Sequence, residues 1–324
     1  MKYLYVLVSN STDFYSEQAF LSIYSLKLKT PNAFVSLLVD NHTAEYLEKK
    51  FQELIKSVNE FKVIELDKEY SNKEKSRILK TTMRQQIDGD FLFIDCDTVI
   101  CDDLSEIEKC QLDIACVLDS HVPVSIHWGK IWMMKNYKKC GFTESINKPT
   151  HFNSGVIYCK DNPITRKFFA DWACLMQQSV KAGIYIDQPS FNQADIINGS
   201  LIKELTGEWN CQLVQGGVKY LCNAKIIHYF ASQKQFRSPY LLSNQKIFED
   251  IKNKRYISEE HCAMLYNPKT AIDENARLQS PDIAMELFFH QPFLELVHIY
   301  RKHKLCYKIL RGLSWLMLKC HKKN

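Results

Sequence analysis

Two aspartates separated by one residue, Asp95 and Asp97, directly follow the short apolar run of residues 91–94. The run predicts a buried strand, so both carboxylates are expected where that strand meets solvent. Paired carboxylates in this position suit a hard divalent cation, which prefers oxygen ligands. An isolated Asp-x-Asp is also common as a solvated loop cap. The assignment of a metal site therefore depends on what else the sequence supplies.

A basic segment precedes this strand. Residues 76–87 have helical spacing, and Arg77, Lys80 and Arg84 fall on one stripe of the predicted helix. The plain interpretation is a surface helix with a solvated basic face, which we expect for Arg84. For Arg77 and Lys80 the alternative is charge-assisted hydrogen bonding to phosphate oxygens, and the spacing alone favours neither.

Downstream segments place polar residues at the ends of predicted elements. Asn153 lies in a His-Phe-Asn-Ser-Gly segment before a strand, and Asp187 with Gln188 opens a helix. His228 follows two isoleucines at the polar end of another strand. A histidine there is usually a satisfied structural residue. A site with two carboxylates lacks a third protein ligand, however, and imidazole suits Mn²⁺ as well as zinc.

The elements that must position these residues alternate along the first hundred positions. The expected strands cover residues 3–8, 34–39, 61–66 and 91–94. A helical pattern spans residues 43–58, with Thr43 as its expected N-cap. This alternation predicts an α/β fold with a mainly parallel central sheet. Ligands of open α/β sheets bind beyond the carboxyl ends of the strands, where Asp95 and the loop from Ser9 to Tyr15 both lie.

The order of the motifs resembles the family 8 retaining glycosyltransferases. It runs Asp-x-Asp, Phe-Asn-Ser-Gly-Val, Asp-Gln, Trp-Asn (Trp209-Asn210) and Ile-Ile-His-Tyr over roughly residues 1–236. The resemblance implies the GT-A (nucleotide-diphospho-sugar transferase) fold, a UDP-sugar donor and a bound Mn²⁺, or Mg²⁺ in its place. We expect a catalytic domain at residues 1–236, a helical appendage at 237–300 and a basic amphipathic tail at 301–324, which together give a C-terminal helical extension.

The resemblance also assigns roles to individual residues. The metal ligands would be Asp95, Asp97 and His228. The catalytic residues would be Gln188, near the reacting face of the donor sugar, and Asp187. The residues that bind the base, diphosphate or sugar of the donor would be Ser9, Asn10, Tyr15, Arg77, Lys80, Asp119, Asn153 and Lys234.

Two departures from the family pattern leave alternatives open. Ala231 replaces a glycine at which backbone approaches phosphate, and Phe14 stands where an asparagine often precedes the aromatic residue. The alanine at position 231 leaves a non-catalytic nucleotide-sugar-binding module as one alternative, and Phe14 weakens the assignment of the nucleobase site. Another alternative is a haloacid-dehalogenase-like phosphatase with Asp95 as nucleophile, although in such enzymes the motif usually follows the first strand and here it follows the fourth.

The leading hypothesis is a Mn²⁺-dependent hexosyltransferase. It would move a hexose from a UDP-sugar to a saccharide or glycolipid acceptor, with retention, in surface polysaccharide or lipopolysaccharide synthesis. The acceptor would meet variable loops such as residues 122–148, where Trp128 and Trp132 are either sugar-stacking or core residues.

Charge distribution narrows the expected partners. Eight of the 42 Lys and Arg residues lie within residues 301–324, which contain no acid, so the 37 acids outnumber the other 34 basic residues. A nucleic-acid partner would require basic character across the body, and none is expected. In the tail, an apolar stripe at Leu305, Ile309, Leu313 and Leu316 fits either a docked helix or one on an anionic membrane surface, and we favour the membrane.

The cysteine content and the lengths of the apolar runs indicate the cellular compartment. The 12 cysteines include no Cys-x-x-Cys pair, which favours reduced thiols over a zinc or disulfide framework. No apolar run reaches the roughly 20 residues of a membrane span, and the apolar residues 3–8 predict a first strand instead of a leader. We expect a cytoplasmic protein, peripheral at most on the inner face of a membrane.

Overall fold

The structure, a computed structural model, describes residues 1–213, 215–230, 245–270, 295–296, 299 and 302–321. The chain divides into two compact units, Met1–Ala276 and Arg277–Asn324. The strands are β1 (Lys2–Leu7), β2 (Phe34–Asp40), β3 (Glu60–Ile64), β4 (Phe91–Ile94), β5 (Thr98–Ile100), β6 (Ile114–Leu118), β7 (Phe152–Cys159), β8 (Ile202–Glu204), β9 (Cys211–Gln212) and β10 (Ile226–His228).

The α-helices of the first unit are α1 (Tyr15–Lys29), α2 (Asn41–Lys50), α3 (Gln52–Lys56), α4 (Asn72–Gln86), α5 (Lys130–Cys140), α6 (Pro163–Lys181), α7 (Gln188–Ile197), α8 (Gln245–Lys254) and α9 (Glu259–Tyr266). The second unit contains α10 (Lys304–His321). None of the helices among the described residues has the length and apolar character that crossing a membrane requires.

Seven strands form the central sheet in the order β3-β2-β1-β4-β7-β6-β8. Neighbouring strands run parallel except in the two pairs that include β7. Alternate residues of β1 enter two separate cores, Tyr3, Tyr5 and Leu7 on one face and Leu4 on the other. Both faces are therefore covered, and the predicted α/β fold with a mainly parallel sheet is confirmed.

One edge of this sheet collects the polar loops. Strands β1, β2, β4 and β6 share one direction, so Ser9, Asp95 and Asp119 all follow strand ends on the same side. Strand β7 runs the opposite way, and its first residues, Phe152 and Asn153, reach that same edge. The strand directions alone thus bring residues from four parts of the chain together.

A second, smaller sheet brings in the histidine. Its strands lie in the order β5-β10-β9, and His228 pairs with Thr98 across the antiparallel β10 and β5. Because β5 begins immediately after Asp97, this pairing places His228 beside the two aspartates despite their separation in the chain.

The helix predicted for residues 43–58 is two helices, and Thr43 is not its N-cap. Asp40 caps α2 by accepting hydrogen bonds from the backbone amides of the first turn. The helix breaks at Phe51, whose buried ring packs against Phe20 with 5.1 Å between centroids. The prediction was wrong because a periodic pattern shows which residues face the core, but not that a bulky one leaves the helix to reach it.

Arg84 was expected on a solvated face and is instead fully buried. Its guanidinium carbon lies 4.6 Å from the centroid of the Phe91 ring, and the group donates to the carbonyl of Ile87 and pairs with Asp161 at 3.5 Å. Arg84, in the last turn of α4, thus reaches the first residue of β4, where an aromatic ring and a carboxylate compensate the buried charge. The surface interpretation of Arg84 was therefore wrong.

The start of α4 is fixed by a capping box. Ser71 Oγ accepts a hydrogen bond from the amide of Glu74 at 3.3 Å, and Glu74 Oε2 accepts one from the amide of Ser71 at 2.9 Å. Two amides that lack partners within the helix are thereby satisfied. The box sets where the helix that carries Arg77 and Lys80 begins.

We expect Ser71→Ala to lower the free energy of unfolding by about 1 kcal/mol, because it removes one side of the capping box. Urea denaturation followed by circular dichroism measures the change. The exposed Lys73→Ala on the same helical turn serves as the matched control and should stay within about 0.5 kcal/mol of wild type. Equal stability of the two variants would contradict the assignment.

Candidate active site

Asp95, Asp97 and His228 each offer one ligand atom, and these atoms all lie within 4.8 Å of one another. His228 Nε2 is 3.2 Å from Asp97 Oδ1. The backbone fixes the two acids, since the Asp95 amide donates to the Gly155 carbonyl at 2.8 Å and the Asp97 carbonyl accepts from the Tyr229 amide at 3.0 Å. Two carboxylates and an imidazole directed to one point form a donor set for a divalent cation.

The orientation of His228 has two causes. Its Nδ1 lies 3.0 Å from the side-chain oxygen of Asn210, which can only accept, so Nδ1 donates and Nε2 is directed to the carboxylates. The other cause is Gly155, where an added Cβ would overlap the ring and stand 2.8 Å from His228 Nδ1 and 2.9 Å from Asn153 Oδ1. A residue without a side chain is needed at position 155 for the imidazole to fit.

A buried ammonium links Asp95 to the start of α7. Lys80 Nζ lies 3.1 Å from Asp95 Oδ1 and 2.9 Å from Asp187 Oδ2. Burial disfavours the charge on Lys80, but Asp187 and Asp95 outweigh it and raise the lysine pKa. For Asp95, burial raises the pKa and Lys80 lowers it, and the net effect is a raised pKa. Lys80 therefore stays protonated and bridges the two carboxylates.

Asp97 and His228 affect one another in opposite directions. Burial works against ionisation of Asp97, yet the adjacent His228 lowers the pKa of that carboxyl overall. Burial also disfavours the imidazolium, yet Asp97 and Asp95 raise the pKa of His228. A cation that binds this donor set therefore competes with a proton for His228, because only the neutral ring nitrogen is a ligand.

Asp187 is the most strongly stabilised carboxylate of the site. Burial opposes its charge, but Lys80 and Arg77 hold the pKa of Asp187 well below its usual range. Arg77 lies 3.8 Å from Asp187 Oδ1 and donates from Nε to the carbonyl of Tyr185 at 2.9 Å, and Ser154 Oγ donates to Asp187 Oδ2 at 2.8 Å. Asp187 is thus ionised and held from three sides.

A second polar cluster is centred on Asp119. Its Oδ1 accepts from Asn153 Nδ2 at 2.9 Å and from Gln188 Nε2 at 2.8 Å, and its Oδ2 lies 3.0 Å from His127 Nε2. Burial disfavours the charge, but the bond from His127 leads the factors that lower the pKa of Asp119 to about 2. Asn153 Oδ1 in turn accepts from Asn210 at 2.9 Å, so this cluster is continuous with the seat of His228.

Asp95 and Asp97 open onto a cleft of about 410 Å³. Its lining residues are Val6, Leu7, Val8, Asp13, Tyr15, Gln18, Asn72, Lys73, Ser76, Arg77, Asp95, Cys96, Asp97, Tyr185 and Ile186. Ser9 and Asn10 do not line it: Ser9 Oγ donates to Asp13 at 2.5 Å and Asn10 Oδ1 accepts from the amide of Thr12 at 2.8 Å. Their side chains shape the loop instead of facing the cleft.

The family described as glycosyl transferase family 8 matches residues 6–238. The chain belongs to glycosyl transferase family 8. It is therefore a glycosyltransferase, as the motif order predicted. No curated protein matches the sequence. The family assignment decides against the phosphatase alternative, in agreement with the position of Asp95 after β4 and its bond to Lys80.

Solved structures of glycosyltransferases share the fold of this family 8 enzyme. A structure of an active-site mutant of LgtC matches with a TM-score of 0.50 at 11% identity. The match covers 80% of the present chain and 98% of the LgtC chain. The apo structure of the bifunctional glycosyltransferase WbbM matches with a TM-score of 0.50 at 15% identity. This match covers 82% of the present chain and 52% of the WbbM chain. At such identities the likeness shows the fold, and the predicted GT-A fold is confirmed.

Beyond the matched residues, α8 of this family 8 enzyme supports the loop beside the cleft. Lys252 Nζ donates to the carbonyls of Ser11 and Asp13, at 2.6 and 2.8 Å. It also lies 4.9 Å from the centroid of the Phe14 ring, which packs against Phe248 at 6.3 Å. Position 14, where the family pattern departs, thus contacts a helix outside the family match.

Some residues of the family 8 site were missed or stay untested. Lys234 and Ala231 lie outside the described residues. Sequence reasoning noted the Trp209-Asn210 pair as a motif but gave Asn210 no role, and it did not consider Asp13. The signal for Asp13 was available, because an aspartate inside a short polar loop after a strand commonly accepts hydrogen bonds from its own loop.

We expect Gly155→Ala to displace His228, since the added methyl group would occupy space that the imidazole fills. Stability should fall by about 1–3 kcal/mol from overpacking, and affinity for Mn²⁺ by at least about tenfold from the lost ligand geometry. Isothermal titration with Mn²⁺ measures the affinity. Gly312→Ala, whose Cβ would meet open space in α10, is the matched control and should bind as wild type does. Equal affinities would contradict this role for Gly155.

The buried His151 predicts a loss of stability in acid. Its Nδ1 lies 2.6 Å from the Tyr137 hydroxyl, and burial lowers the pKa of His151 to about 4. The unfolded chain binds the proton near pH 6.5, so unfolding gains protons and the stability falls as pH drops from about 6.5 to about 4. His151→Gln should flatten this slope in denaturation measured across that range. Coincident slopes would show that His151 is charged in the folded protein.

Proposed function

We propose that the enzyme transfers a hexose from a UDP-sugar to a hydroxyl of a saccharide or glycolipid, with Mn²⁺ and with retention at the anomeric carbon. The observation that carries the proposal is the convergence of Asp95, Asp97 and His228, the two aspartates of which line the cleft. Asp187 and Gln188 lie at the start of α7. The ammonium group of Lys80 lies between Asp187 and Asp95 and contacts both. A nucleotide side and a sugar side are thus adjacent.

The donor set fits manganese, with Mg²⁺ as the substitute. Carboxylate oxygens suit both ions, and the imidazole favours Mn²⁺ over the harder Mg²⁺. Asp95, Asp97 and His228 would hold the ion. When bound, it would neutralise charge that grows on the diphosphate as the glycosidic bond breaks.

The chain's own cations would share that task. Arg77 lines the cleft, where its Nε and Nη1 contact Tyr185 and Asp187, and a guanidinium in this position suits a phosphate or ribose oxygen. Tyr15 lines the same cleft with its ring exposed, which suits stacking on uracil. Lys234 completes the proposed diphosphate contacts. Ser9 and Asn10 would act through the shape of their loop.

The polar cluster around Asp119 would hold the donor sugar. Asp119 and Asn153 present carboxylate and amide groups that match sugar hydroxyls, and Gln188 lies against Asp119. Asp187 is paired with Lys80 and Arg77, which makes it a weak nucleophile and suits an orienting role. We therefore assign retention to departure and attack on the same face of the sugar, with Gln188 beside the anomeric carbon.

The setting of the reaction is also part of the proposal. We place the enzyme in the cytoplasm, in surface polysaccharide or lipopolysaccharide synthesis, with a catalytic domain at residues 1–236, an appendage at 237–300 and a basic tail at 301–324. In α10, Leu305, Ile309 and Leu313 recur every four residues and are each more than half exposed. With its basic residues, that stripe suits an anionic membrane surface.

A donor screen tests the assignment. With Mn²⁺, one of UDP-glucose, UDP-galactose and UDP-N-acetylglucosamine should release UDP, and Asp95→Asn should lower that rate by at least about a hundredfold because a ligand charge is lost. Asp88→Asn, at an almost fully exposed aspartate, is the matched control and should keep the wild-type rate. Release of UDP by Asp95→Asn at the wild-type rate would refute the metal site, and no release from any donor would refute the UDP-sugar.

A further inference from the structure

Four large apolar side chains are exposed around the N-terminus of α5, outside the site described above. Ile126 is 70% exposed, Ile131 59%, Trp132 51% and Trp128 39%. They lie within seven consecutive residues and are here called the α5 patch. Single exposed apolar residues are ordinary on a protein surface, but a cluster of this size commonly marks a contact with another molecule.

The α5 patch stands on a rigid base. Trp128 Nε1 donates to Ser120 Oγ at 2.8 Å, and its ring stacks on His127 with 5.8 Å between centroids. Beneath α5, a separate small core consists of Val124, Met133, Tyr137, Cys140 and Phe142. The exposed residues are therefore held outward by packing below them, and the patch is a formed surface of the folded protein.

Charge around the α5 patch has one sign. Residues 120–143 contain four lysines and no Asp or Glu. Lys135 and Lys138 follow Ile131 by four and seven residues, so they share its face of the helix. Lys130, Lys135, Lys138 and Lys139 are all exposed. This segment thus carries exposed apolar residues and exposed cations together.

We infer that the α5 patch docks this enzyme on the surface of an anionic lipid bilayer. Tryptophan and isoleucine at the boundary of headgroups and acyl chains, with lysines at the level of the phosphates, is the arrangement that interfacial helices use. The lysine stems reach along the apolar surface while their ammonium groups stay in water.

The composition of the patch favours lipid over a saccharide. A saccharide would use the ring faces of Trp128 and Trp132, but also carboxylates or amides for its hydroxyls. Ile126 and Ile131 offer neither a ring nor a hydrogen bond, and they are the most exposed members of the patch. The surrounding charges are cations that match lipid phosphates. The docking does not depend on which sugar the enzyme moves.

Tryptophan fluorescence of the full chain tests this contact. Trp172 and Trp209 are buried, so in a Trp315→Phe background a change in emission reports Trp128 and Trp132. Vesicles of phosphatidylcholine with phosphatidylglycerol should shift the emission to the blue, and brominated lipids should quench it. Vesicles of phosphatidylcholine alone should bind more weakly, and high salt should remove the difference.

Paired variants locate the contact. Ile131→Ser with Trp132→Ser should weaken partitioning onto the anionic vesicles by at least about tenfold. Ile164→Ser with Ile197→Ser, at two similarly exposed isoleucines on α6 and α7, should partition as the parent does. Circular dichroism of each variant confirms that it is folded, and UDP release is measured separately.

Three results would overturn the inference. One is the absence of quenching by brominated lipid. Another is equal partitioning of the two paired variants, with binding lost only when the basic residues of the tail are replaced. The third is an emission shift produced by a lipid-free oligosaccharide and not by vesicles, which would identify the α5 patch as a saccharide platform.

Discussion

The buried ammonium of Lys80 is the interaction on which the rest of the site depends. Three carboxylates, Asp95, Asp97 and Asp187, gather at one edge of the sheet, and like charges brought out of water repel strongly. Lys80 contacts two of them at about hydrogen-bonding distance, while His228 pairs with the third. Lys80, on α4, thereby links the residue that follows β4 to the residue that precedes α7.

Much of this edge was predictable, because it follows from strand direction. Parallel strands end on the same side of a sheet, so the sequence alone predicts that Asp95 and the loop after β1 lie close together. His228 was a different case. Its spacing after two isoleucines leaves its role ambiguous, and only the order of the motifs pointed to a ligand. His228 lies beside the two aspartates because β10 pairs with β5. Pairing between strands so far apart in the chain leaves no local trace in the sequence.

The wrong or missing sequence-based predictions also share a cause. Asn210, Phe51 and Arg84 have functions set by what their side chains meet in three dimensions: an imidazole, an aromatic core and a buried ring with its carboxylate. Periodicity reports which face of a helix is apolar. It does not report that a long basic side chain can turn inward, or that an amide beside the neighbouring strand fixes a ring nitrogen.

The split of the metal ligands between two sheets has a consequence for the protein's lifetime. An ion held by Asp95, Asp97 and His228 would join the end of β4 to β10 of the smaller sheet. Binding to the folded form alone lowers the population of opened molecules by mass action, and those are the molecules that proteases degrade. If that ion is the proposed Mn²⁺, manganese starvation would reduce the amount of enzyme as well as its turnover, so that product output would respond twice to one nutrient.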